Sequence, residues 1–184
     1  MYKIIPDALL SDGYISSLFK SRHITNFHTA CDFIWKLPYG RTSDPYNFKL
    51  VLSEQIGTCS SKHGLLKLLI DELGLDVELV VGIYAMTESN TPGVGLVLGK
   101  SKYDHVPEAH CYLRYNSHRI DLTRYETTAE APIDQFFTET PFLVTELALN
   151  KVKMHKQFLV DKYGKAESEK IWQIREQCIS ALST

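Results

Sequence analysis

Between Gly57 and Leu122 the hydrophobic period of the chain switches from helical to alternating, and this switch constrains the fold more than any other feature. After Gly57-Thr58-Cys59 comes Ser60 to Leu73, where Leu65, Leu66, Leu68, Leu69, Ile70 and Leu73 recur at helical spacing and Gly74 supplies a stop signal. Val77 to Ala85 is then β-branched and apolar, the pattern of a core strand. Ala109 to Tyr115 and His118 to Leu122 read as short strands joined by a two-residue hairpin turn at Asn116-Ser117. Any fold for this chain must therefore accommodate a mostly buried helix, a core strand and a hairpin, in that order.

At 184 residues the chain is long enough for one well-buried core, and a single domain over 1–184 is the expectation. Cys31 to Leu37 reads as a short helix ending before Pro38, and residues 38–47 as a loop rich in turn formers. Met86 to Glu108 has no clear period and reads as a long surface loop holding a short strand at Leu96 to Leu98. A weak helical segment follows Pro132, around Asp134 to Phe137. Two closing helices are expected at about Thr145 to Tyr163 and Glu167 to Leu182, separated by Gly164, within a helical extension of about 143–182. Trp172 and Cys178 fall at core spacing there, and Arg175-Glu176 reads as a solvated or ion-paired turn.

Charge and apolar runs narrow the function classes. A formal net charge of −2 supplies no broad basic field, so nucleic acid is not an expected partner. Pro6 and Asp7 interrupt the start before a signal-peptide core is reached, and no segment approaches the roughly 20 apolar residues of a membrane span. A cytoplasmic protein with no membrane partner is the expectation. Cys31, Cys59, Cys111 and Cys178 are widely spaced and read as free thiols.

Chemistry concentrates on Cys59, His110 and Asp121. A cysteine at a helix start has its thiolate favoured by the helix dipole, a histidine can serve as base and then acid, and an aspartate can hold the imidazole. Gly57 allows close backbone approach on the substrate side. Taken singly, each residue has an ordinary structural reading: a buried thiol, a packed strand histidine, a turn aspartate. The conjunction, in that order on those elements, is what points to thiol chemistry. Strand alternation sets His110, Tyr112 and Arg114 on one face and Cys111, Leu113 and Tyr115 on the other, with Cys111 directed into the core. His23, His28 and Cys31 fit no established zinc spacing, and the glycines at 93, 95 and 99 have no P-loop spacing, so neither a metal nor an organic cofactor is expected.

Gly57-Thr58-Cys59, the Leu-rich helix, Val80-Val81-Gly82, His110-Cys111-Tyr112 and Asp121-Leu122-Thr123 together resemble the transglutaminase-like superfamily, whose core belongs to the papain-like cysteine protease fold. The resemblance covers a core of about residues 50–125. It implies an α+β fold with the catalytic Cys at the N-terminus of a core helix packed on an antiparallel sheet. It also implies a Cys59-His110-Asp121 triad in a thiol-dependent acyltransferase, amidase or protease, acting on a peptide, protein or small amide; some members of the family are inactive, so a binding module is the alternative. Where the family often carries an aromatic residue before the cysteine, this chain has Ser53-Glu54-Gln55-Ile56. Two readings stand for Gln55, an amide donating to an oxyanion and a solvated loop residue. Gln55, Gly57 and Tyr112 complete the candidate set on the oxyanion or substrate side.

Overall fold

The computed structural model describes residues 1–125 and 133–182. After a short 3-10 turn at Tyr2–Ile4 come α1 (Tyr14–Lys20), α2 (Phe27–Lys36), α3 (Leu50–Glu54) and α4 (Cys59–Glu72). Then follow β1 (Glu78–Met86), α5 (Gly95–Leu98), β2 (Val106–Tyr115), β3 (His118–Ile120), β4 (Thr138–Phe142), α6 (Leu147–Tyr163) and α7 (Lys165–Ala181). The architecture is α+β, with a four-stranded antiparallel sheet in the order β3-β2-β1-β4. Among the described residues no helix is long and apolar enough to cross a membrane.

The chain divides into two compact units. One comprises Met1–Val80, Cys111–Glu126 and Pro141–Ala148. Its hub is α4, against which α1, α2 and α3 all pack. Leu65, Leu66, Leu69 and Ile70 are fully buried, and so are Lys62 and His63, so the buried face of α4 is wide and only a narrow stripe at Ser60, Lys67 and Asp71 reaches solvent. That burial requires Gly64, because a Cβ there would stand 2.8 Å from the ring of Phe48. In the same unit the hairpin pairs Leu113 with Ile120, Arg114 with Arg119 and Tyr115 with His118. Asn116 and Ser117 both have positive φ, 46° and 64°, the turn geometry that matches the right-handed twist of the flanking strands.

The second unit comprises Val81–His110, Thr127–Thr140 and Leu149–Thr184. Its core gathers Tyr84 and Met86 of β1, Leu98 of α5, Val106 of β2, Leu159 of α6, and Ile171, Cys178 and Ile179 of α7. Gly164, at φ 75°, takes the chain from α6 into α7 through a conformation that favours glycine. Inside this unit Glu108 is buried and meets Arg175 in a two-pronged ion pair, Nε to Oε2 at 2.5 Å and Nη2 to Oε1 at 2.7 Å.

Several sequence expectations need correction. Leu96 to Leu98 lie in the short helix α5, not a strand, and the expected helix at Asp134 to Phe137 is irregular chain leading into β4. Pro132 lies outside the described residues. The strand β2 is buried on both faces from Val106 to Leu113, so its alternation does not separate a core face from a solvent face. Of the two readings for Arg175-Glu176, ion pairing holds: Arg175, within α7, pairs with Glu176 and with the buried carboxylate of Glu108.

Candidate thiol site

Cys59 is the first residue of α4 and is 7% exposed. The helix starts here because Thr58, in an extended conformation, caps it. The Thr58 hydroxyl accepts from the Ser61 N–H at 3.3 Å, and the Ser61 hydroxyl accepts from the Thr58 N–H at 2.9 Å, a reciprocal capping box. The amides of a helix's first turn are directed outward along the axis, toward the end where the dipole favours negative charge, and Cys59 stands at that end. Its sulfur lies 3.9 Å from the Ser60 hydroxyl.

One helical turn later, His63 joins Cys59 to the stretch that carries Asp121. The His63 Nε2 accepts the Leu122 N–H at 2.8 Å and so holds no proton; the proton is on Nδ1, which donates to the Cys59 carbonyl at 2.8 Å. Both ring nitrogens are thereby engaged by backbone groups, and His63 links the start of α4 to residue 122. Asp121 Oδ1 lies 3.8 Å from His63 Nε2. That oxygen accepts from the Thr123 N–H at 3.0 Å and the Thr123 hydroxyl at 2.6 Å, closing a tight local turn. Continuing the hairpin register sets Asp121 across from Tyr112.

Lys62, beside His63, is fully buried. Its Nζ donates to the carbonyls of Leu37 at 2.5 Å, Thr123 at 2.7 Å and Trp35 at 3.5 Å. Burial pushes the Lys62 ammonium down to about 8, opposed by the charge of Asp121, reinforced by Arg124 and opposed again by Cys59. Sequence reading missed both Lys62 and His63. No local pattern separates them from Lys67 and Asp71 of the same helix, which pair at the surface.

The structure thus brings Cys59 and Asp121 into one compact unit, linked through His63 and Lys62. His110 belongs to the other unit, on β2, where it is 7% exposed with its ring edge-on to Tyr84 at a centroid distance of 6.0 Å. Tyr112 is fully buried, with the Arg119 guanidinium 5.0 Å from its ring centroid. Beside Gly57 the space is filled by protein: a Cβ there would stand 2.8 Å from Lys62 Cγ and 3.1 Å from Ser61 Oγ. Gln55 is exposed and ends α3 in the left-handed conformation, φ 54° and ψ 36°. A Gln55→Gly variant is therefore expected to be more stable by about 0.5–1 kcal/mol in urea unfolding, since glycine takes up that conformation without strain. The same variant would lose activity if the Gln55 amide held an oxyanion.

The remaining thiols lie in different surroundings. Burial pushes Cys31 far above the ordinary thiol range and Cys178 up to about 11, which suits inert core residues. Near Cys31, His28 Nε2 lies 2.8 Å from the Ile5 carbonyl, and among the described residues no group of three or more metal-ligating side chains converges. Neither a family model, a curated protein nor a solved structure matches this chain.

Proposed function

We propose that the chain is a thiol-dependent acyltransferase or amide hydrolase of the transglutaminase-like, papain-like type, in which Cys59 is the nucleophile, His110 the base and acid, and Asp121 the group that holds the imidazole. The observation that carries this reading is the position of Cys59 at the first residue of a capped, 14-residue buried helix. The α+β architecture and the Asp121 turn anchored to that helix support it. In this chemistry the Cys59 sulfur bonds to the carbonyl carbon of an amide while its proton passes to His110. The tetrahedral oxyanion is held by backbone N–H groups at the helix start, the amine leaves with the proton from His110, and a thioester remains. Water then releases a carboxylic acid, or a second amine takes the acyl group.

A non-catalytic binding module is the second reading, and the 7% exposure of Cys59 favours it. Alkylation with iodoacetamide separates the two when labelled peptides are resolved by mass spectrometry across pH 5–9. The enzyme reading expects Cys59 to react several-fold faster than Cys31 or Cys178 at pH 7, with a midpoint below the ordinary thiol value of about 8.5. A midpoint at that ordinary value, or a Cys59 as slow as the two core thiols, would leave the binding module.

A further inference from the structure

Lys62 has three N–H donors and three carbonyl acceptors, from two stretches of chain that are distant in sequence: Trp35 and Leu37 at the end of α2, and Thr123 beyond β3. Only the ammonium form can serve all three, because the neutral amine has two donors and would turn its lone pair toward a carbonyl oxygen. Next to it, His63 accepts the Leu122 N–H. The helix that begins at Cys59 therefore grips the N–H of residue 122 and the C=O of residue 123. Asp121 is in turn bound to Thr123 through that residue's N–H and hydroxyl.

We propose that Lys62 is a positioning residue: its ammonium clamps the Asp121–Thr123 turn onto α4 and so sets where the Asp121 carboxylate stands with respect to the Cys59 end of the helix. The consequence for catalysis rests on the reading of Cys59 as a nucleophile, whereas the clamp does not. Lys62 also lies three residues beyond Cys59, a spacing that makes side chains neighbours on a helix, so its charge favours a thiolate there.

The energetics fit positioning better than stabilisation. A lysine lowered to about 8 in the folded protein, against an ordinary value of about 10.4, is held charged at neutral pH against the preference of its surroundings. The unfolded chain binds that proton more tightly, so the group opposes folding below about pH 8, and the opposition is relieved as pH rises toward the unfolded value. Buried charges of this kind can often be replaced by apolar residues without loss of stability. The charged and titratable groups around Lys62 are Cys59 and His63 on its own helix and Asp121 and Arg124 beyond β3; the end of α2 presents carbonyls.

The test is amide hydrogen exchange of the full chain by NMR from pH 6.5 to 9.5, with rates corrected for base catalysis. Opening of the turn returns Lys62 to water, where it binds its proton more tightly, so protection at Leu122 and Thr123 is expected to rise about tenfold or more from pH 7 to 9.5. In Lys62→Met the same amides are expected to show no pH step. The Cys59 alkylation midpoint is expected to rise by about half a pH unit or more in that variant. Protection at Leu122 and Thr123 that does not change with pH overturns the clamp, and the unaltered protein decides this even if Lys62→Met does not fold. A pH step in the unaltered protein with an unmoved Cys59 midpoint in Lys62→Met makes Lys62 a structural strut and overturns the positioning role. A Cys59 that alkylates as an ordinary thiol in the unaltered protein sinks the enzyme reading instead, and the exchange result still rules on the clamp.

Discussion

Replacing Arg175 with Met is expected to destabilise the protein by about 3–5 kcal/mol at pH 7, measured by urea unfolding, because it strands a buried carboxylate. Glu108 is 6% exposed and receives two parallel N–H bonds from the guanidinium, the strong geometry for this pair. Burial alone would push the Glu108 carboxyl up, but the adjacent Arg175 charge and its hydrogen bonds hold it down at about 2. The pair also organises its neighbours. Arg175 lies over the Trp172 ring at 5.1 Å, and Trp172 meets His155 edge-on at 5.2 Å. His155, held below its ordinary range by burial, donates from Nε2 to the Pro107 carbonyl at 2.8 Å.

The pH dependence carries the sign of the pairing. With its folded value depressed, Glu108 contributes stability that is present above the ordinary glutamate value of 4.5 and is lost as pH falls toward about 2. In Arg175→Met the buried carboxyl has no counter-charge, its folded value rises above the unfolded one, and the variant should recover stability as pH drops from 7 to 5. A Glu108→Leu, Arg175→Met double variant is expected to be less destabilised than Arg175→Met alone, since no charge is left stranded. A loss under about 1 kcal/mol for Arg175→Met, with an unchanged acid limb, would show that Glu108 is adequately solvated without its partner.

The second large effect concerns activity. On the proposed thiol chemistry, Cys59→Ser is expected to lower turnover of an amide substrate by about 10³-fold or more while shifting the unfolding midpoint little, because the hydroxyl fills the sulfur's place but does not ionise at neutral pH. Asp121→Asn gives a cleaner test of charge at the third position. The Asn Oδ1 can still accept from the Thr123 N–H and hydroxyl, so the turn is kept while the carboxylate charge is removed. Its expected loss is smaller than that of Cys59→Ser or His110→Ala, since an orienting group acts through the base. Cys59→Ser with turnover within about tenfold of the unaltered protein would sink thiol catalysis.

The elements that could be read from sequence are those whose signals are local. The helix of α4, the strand β1 and the Asn116-Ser117 turn each follow from a few neighbouring residues: helical spacing of leucines, a β-branched run, and two residues that tolerate positive φ. The strand β4 escaped because Thr-Glu-Thr-Pro-Phe has a weak alternation and contains Pro141, which a strand at the end of the sheet can accommodate. Leu96 to Leu98 was ambiguous for a different reason, since three apolar residues fit a helical turn as well as a strand.

The amino-acid order by itself indicated that a thiol opens a helix and that a hairpin turning at Asn116-Ser117 carries Asp121 back along the strand of His110, because turns and periods are settled by steric and hydrogen-bond preferences within a few residues. Tertiary structure alone decided that Lys62 is a buried cation gripping Thr123, 61 residues away, that His63 accepts the Leu122 N–H, and that Glu108 is met by Arg175 across 67 residues. Which charge becomes buried, and against what, depends on desolvation and on partners delivered by the folding of distant segments. No local pattern encodes it.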